Sequence, residues 1–173
     1  MQLIGKGSFT KVYKLSDKKV LVKSICYAKE CLSDLGKVNY FPQYKRIGDR
    51  EYTCEYYPKV TSLKTSLQPK YYEIYKDLVN VFASIKYDGK DYNNYFAVSE
   101  AFQNIKNKSV KNILLEVLED MSNYGSDVKF EISPRNVAVK NGKLILLDVF
   151  FFASQLRDVR KNGLNLTNNN ETI

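Results

Sequence analysis

Along the first quarter of the chain, apolar residues come in short runs broken by turn residues, the pattern of strands. Gln2 to Gly5 forms the first run and Lys11 to Leu15 the second; Lys19 to Ser24 follows the polar Ser16-Asp17-Lys18. Ala28, Cys31, Leu32 and Leu35 then recur at three and four residues, which predicts a short helix closed by Gly36. β character resumes over Pro42 to Ile47 and Arg50 to Tyr57, around Gly48-Asp49, and stops at Pro58. The amino-terminal part is therefore expected to be mostly β.

From about Pro69 the period changes. Tyr72, Tyr75, Leu78, Val79, Phe82 and Ile85 fall on one helical face, a second helix is expected around Tyr95 to Ile105, and Val110, Ile113, Leu114, Val117, Leu118 and Met121 form a continuous third stripe ending near Gly125. Such stripes predict core. The chain then returns to strands, with Val137 and Val139 alternating up to Asn141-Gly142 and Leu144 to Leu147 beyond. Asn-Gly between two such runs predicts a tight hairpin, because both turn residues must tolerate positive φ. Asp148 is thereby placed at the end of the returning strand.

A length of 173 residues suits one globular unit. We expect a single domain over residues 1–161, divided into a lobe of about 1–58 and another of about 59–161, with the polar 162–173 as a flexible tail. The net charge of +8 favours an anionic partner without choosing one, and part of it is local: Lys6, Lys11, Lys14, Lys18, Lys19 and Lys23 face only Asp17 in the first stretch. Cys26, Cys31 and Cys54 are odd in number and lack a Cys-x-x-Cys pair, so buried thiols are expected rather than disulfides or zinc. The chain has no histidine, which removes every histidine-based triad and leaves lysine and carboxylates for chemistry. No stretch reaches about 18 uninterrupted apolar residues, and no signal-like apolar run opens the chain; a cytoplasmic protein without a membrane partner is expected.

Four features carry chemistry. Ile4-Gly5-Lys6-Gly7-Ser8-Phe9, leading to Val12, puts two glycines in a turn between strands, where a bare backbone can approach phosphates while Phe9 caps the loop. Lys23 ends the apolar run Val20-Leu21-Val22, where an ammonium can reach phosphates if a carboxylate holds it; Glu30 is the expected partner and Asp34 the alternate. Glu131, four residues and Asn136 can set a base beside an acceptor hydroxyl and an amide oxygen on a metal. Asp148 is a strand-end carboxylate suited to Mg²⁺ between phosphate oxygens.

In this order the features resemble the protein-kinase superfamily over about residues 3 to 150, most closely the small early serine/threonine kinases of T7-like bacteriophages, given Phe130-Glu131, Asn136-Val137 and Asp148-Val149-Phe150-Phe151. The resemblance implies a minimal two-lobed α+β fold with a mostly β N-lobe and a reduced, mostly helical C-lobe. It further implies ATP and Mg²⁺ as cofactors and a protein substrate or host protein target in the host cytoplasm. Glu131 stands at the catalytic acid, Asn136 and Asp148 at the metal ligands, and Tyr52 to Tyr57, with Glu55 and Tyr57, at the segment that hydrogen-bonds adenine. Three departures bear on activity. Thr10 replaces a third glycine; Glu131 replaces aspartate, and about 1 Å of misplacement can cost about a hundredfold in rate; no Ala-Pro-Glu follows Asp148-Val149-Phe150. The alternative is a pseudokinase that binds nucleotide or protein without turnover. A nucleic-acid partner rests only on charge and tyrosine content.

Overall fold

The computed structural model describes residues 1–166. Strands β1 (Gln2–Lys6), β2 (Thr10–Lys14), β3 (Lys19–Ser24), β4 (Lys45–Gly48) and β5 (Glu51–Glu55) form one antiparallel sheet in the order β1-β2-β3-β5-β4. The central β3 buries Val20, Leu21 and Val22, on both of its faces. Helix α1 (Tyr27–Leu35) links β3 to β4 and ends at Gly36, whose φ of 73° suits a residue without Cβ. β4 begins at Lys45 rather than at Pro42: Pro42 has no N–H to give a ladder, and the segment before β4 instead turns Phe41 and Tyr44 into the core.

The helical part consists of α2 (Leu63–Ser66), α3 (Pro69–Ser84), α4 (Asn94–Phe102), α5 (Lys108–Ser122) and α6 (Ala153–Asn162). Pro69 occupies the first position of α3, where its missing N–H costs nothing. The Asn107 side chain accepts from the Val110 N–H at 3.1 Å and so starts α5. The expected stripe is the buried face of that helix: Val110, Leu114, Val117, Leu118 and Met121 are all at most 2% exposed. α4 stops at Phe102, three residues short of the expected Ile105.

Two small ladders complete the helical part. β7 (Val137–Lys140) and β8 (Lys143–Leu146) form the expected hairpin, with Asn141 and Gly142 at φ 51° and 73°. β6 (Val128–Phe130) pairs antiparallel with β9 (Phe150–Phe152), so that the two chain segments bearing the candidate acids leave the same ladder. Phe102, Phe130 and Phe150 pack edge-on or tilted beneath it, with ring centroids 4.9 Å apart for Phe102–Phe130 and 5.4 Å for Phe130–Phe150. The expected tail begins later than residue 162, because α6 runs through Asn162; residues 167–173 of that tail lie outside the described residues. The whole is a mixed α+β structure with a β-sheet amino-terminal part and a helical carboxy-terminal part.

Candidate active site

The sheet and the helical part enclose a cleft of about 1750 Å³. Its roof is the turn between β1 and β2. Gly7 donates its N–H to the Thr10 carbonyl at 2.8 Å, the Phe9 carbonyl accepts from the Ile25 N–H at 3.2 Å, and the Phe9 ring stacks on Phe151 with centroids 6.0 Å apart. A Cβ added at Gly7 would meet nothing within 4 Å, so the fold does not need glycine there for space, and the backbone stands open to the cleft. Ile4, Gly5, Lys6, Gly7, Ser8, Phe9 and Val12 all line the cleft, as do Glu55 and Tyr57 on the segment leaving β5. Glu55 accepts from Lys140 Nζ at 2.6 Å, which ties the sheet to β7. Burial and the neighbouring Glu55 charge raise the Tyr57 pKa, keeping the phenol neutral.

The floor brings Glu131, Asn136 and Asp148 to the same cleft. Backbone hydrogen bonds fix their relation. The Glu131 N–H donates to the Val149 carbonyl at 2.8 Å, and the Asn136 carbonyl accepts from the Leu147 N–H at 2.8 Å and the Asp148 N–H at 3.4 Å. Each acid is thus anchored next to a β6–β9 or β7–β8 end while its side chain reaches the opening: Glu131 is exposed and Asp148 half-exposed.

Lys23 and Glu30 do not join them. Lys23 Nζ sits 2.5 Å from Glu51 Oε1, its direct register partner on β5, and Glu30 accepts from Arg46 Nη1 at 3.1 Å. The alternate, Asp34, accepts from the Tyr124 hydroxyl at 2.9 Å. Strand parity explains the displacement. Val20 and Val22 face the cleft, so Lys23, one residue on, faces away, and Ser24, the next position of the same parity, is buried with its hydroxyl 2.9 Å from that of Thr10. Glu30 instead borders a separate pocket of about 390 Å³ between α1, the β4–β5 turn and α6.

The buried lysine lining the cleft is Lys29, in the first turn of α1 and only 3% exposed. Its ammonium lies 2.5 Å from Asp148 Oδ1 and donates to Tyr44 Oη at 2.7 Å and the Leu147 carbonyl at 2.6 Å. Burial alone would lower its pKa, but the Asp148 carboxylate and Tyr44 outweigh that and hold it above the ordinary lysine value. Burial likewise raises the Tyr44 pKa, so its hydroxyl stays neutral as acceptor. Lys29 is buried on α1 with Ala28, Cys31 and Leu32, although the spacing of those three residues does not by itself place position 29 on their face.

No family model matches this chain, and no curated protein does. Among solved structures it is similar to the ternary complex of streptomycin and ATP with APH(2″)-IIa, an aminoglycoside phosphotransferase, with a TM-score of 0.39 and 14% identity. The match covers 87% of this chain and spans 66% of the length of the other, just under two thirds. Among the described residues no helix is long and apolar enough to cross a membrane.

The donors present fit a nucleotide with a hard cation. Asp148 and Asn136 offer carboxylate and amide oxygens, the kind Mg²⁺ prefers alongside phosphate oxygens, and among the described residues no cluster of three or more His, Cys, Asp or Glu competes as a metal site. Gly7 leaves space for a phosphate to approach the turn, its own N–H being held by the Thr10 carbonyl, and Lys29 is the buried cation beside Asp148.

Proposed function

We propose that this protein transfers the γ-phosphoryl group of ATP to a serine or threonine hydroxyl of a protein, as its sequence resemblance to the small kinases of T7-like phages suggests, in the cytoplasm of a host cell. The observation that supports this most is the convergence of Glu131, Asn136 and Asp148 on one cleft beneath a glycine turn with an open backbone. Asn136 and Asp148 would hold Mg²⁺, which when bound neutralises charge on the phosphate oxygens. Glu131 accepts the proton of the attacking hydroxyl, its backbone held by the bond to Val149. Val20, Val22 and Cys54 provide an apolar wall for the base, and the chain leaving β5 supplies polar backbone to its edge. Rate acceleration then comes from positioning and from fixed charges in a partly enclosed site.

One observation favours a nucleotide-binding module without turnover: Asp148 is already engaged by Lys29, so its carboxylate is neutralised before any metal arrives. The two readings part in a single experiment. The purified protein is incubated with γ-labelled ATP and Mg²⁺, with and without bacterial lysate, alongside Asp148→Ala and Glu131→Gln. Label in the wild type that disappears in both variants is expected. Mg²⁺-dependent ATP binding without label supports the module, and absence of ATP binding overturns both.

A further inference from the structure

We infer that Lys29 on α1, and not the strand lysine Lys23, is the cation that anchors the phosphates of a nucleotide in this cleft. The inference rests on the nucleotide reading above and adds a residue to it.

The sheet delivers no cation to the cleft from β3. Its positions that line the cleft are Val20 and Val22, both apolar; Ser24 is buried against Thr10, and Lys23 is paired with Glu51 on the other face. A polyphosphate in the cleft therefore needs its buried positive charge from another element, and α1 supplies it five residues after β3 ends at Ser24. Lys29 is the one lysine or arginine among the described residues that is buried, and it is buried against this cleft.

Its present partners explain how it would change hands. An ammonium has three N–H donors, and all three are used: on a phenol, a carbonyl and Asp148. Only Asp148 is anionic, and it is half-exposed, so it is the partner that can turn toward the cleft. Once Asp148 is committed to a cation, Lys29 remains a charge shielded from water with only neutral acceptors, and an anionic oxygen is the group that restores its balance. Phosphate oxygens on the same nucleotide are placed to be that group. Tyr44 and Leu147 hold the ammonium in place throughout, so it serves as a fixed donor rather than a flexible one.

The test is a binding titration of ATP and of adenosine, each with Mg²⁺, against the purified full chain, Lys29→Met, Lys29→Gln and Lys23→Met, with melting curves to verify folding. Losing a charge-assisted bond to phosphate is expected to weaken ATP by about tenfold or more in the Lys29 variants while adenosine changes by less than about twofold. Lys23→Met is expected to bind both ligands as the wild type does. A loss of ATP affinity of about tenfold in Lys23→Met, which alters a half-exposed side chain and leaves the core intact, overturns the inference whatever the Lys29 variants do. Equal losses of ATP and adenosine in the Lys29 variants, or no loss, overturn it while leaving the nucleotide site standing. A wild type that binds neither ligand overturns both this inference and the function proposed above.

Discussion

Removing the two ends of the Lys29–Asp148 pair should have unequal consequences for stability. Asp148→Asn keeps an oxygen near the ammonium but removes the only anion beside a charge that is 3% exposed. Breaking a fully buried pair costs about 3–5 kcal/mol, whereas exposed pairs are worth about 0.2–1 kcal/mol. With one partner buried and the other half in water, a loss of about 2 kcal/mol is expected. Lys29→Met removes the other end. Methionine occupies a similar volume, the Tyr44 hydroxyl can turn to the Leu147 carbonyl 3.5 Å away, and Asp148 keeps its contact with water. That variant should lose less than about 1 kcal/mol, and the double variant should resemble it. Urea unfolding followed by circular dichroism, at pH 7 with chelator and no nucleotide, measures all four proteins. At a slope of about 2 kcal/mol per molar urea, Asp148→Asn should lower the midpoint by about 1 M. A Lys29→Met variant less stable than Asp148→Asn, or an Asp148→Asn variant as stable as the wild type, would refute the reasoning.

Gly142→Ala should destabilise by about 2 kcal/mol, because its φ of 73° disfavours a side chain and a Cβ there would approach Gln68 Cγ to 2.8 Å; Gly7→Ala, with open space around it, should change stability by less than about 0.5 kcal/mol, and thermal melting compares the two. Burial pushes the thiols of Cys26 and Cys31 up to about 12 and that of Cys54 to about 11, so thiol reagents at pH 8 should label the native protein slowly and all three cysteines rapidly after unfolding. Because the native state holds these thiols neutral while the unfolded chain ionises them near 9.0, their contribution to stability is complete below pH 9 and is lost as pH rises toward 12; melting temperature should fall over that window. Phe102→Ala should cost about 3–5 kcal/mol in denaturant unfolding, since the ring is fully buried between Phe130 and Phe150.

The elements that a reader of the sequence can locate are those whose pattern is written locally. Alternation around Asn141-Gly142 marks the hairpin, and the stripe from Val110 to Met121 marks α5, because each pattern is complete within a few turns of chain. β6 and β9 are three residues each and acquire their partners only across the whole hairpin, and Phe150-Phe151-Phe152 shows no alternation to suggest a strand. α6 escapes notice for the opposite reason: Gln155, Arg157, Asp158, Arg160 and Lys161 leave little apolar stripe to count. That Glu131, Asn136 and Asp148 would meet at one cleft was legible because the segments that carry them are bounded by strands and joined by the Asn141-Gly142 hairpin. The cleft lysine was not. Val20, Leu21 and Val22 are all apolar, so the run conceals which of its positions face the cleft, and a one-residue difference in parity sends Lys23 to the far side. On α1 the same ambiguity is one of rotation: Lys29 and Glu30 are neighbours in sequence but about 100° apart around the helix, which turns one inward and the other to Arg46.

The bond from the Glu131 amide to the Val149 carbonyl closes the end of the β6–β9 ladder, and Asp148 is the next residue back along the chain. The two acids therefore ride on one stiff piece of backbone. The glycine turn belongs to a different body, the sheet, and meets this piece through the side-chain stack of Phe9 on Phe151. A shift of the roof would slide one ring over the other without stretching the backbone bond that links the Glu131 and Asp148 segments. In the reaction proposed above, entry of a nucleotide and alignment of the acids would then be mechanically independent, and widening the door would not detune the lock.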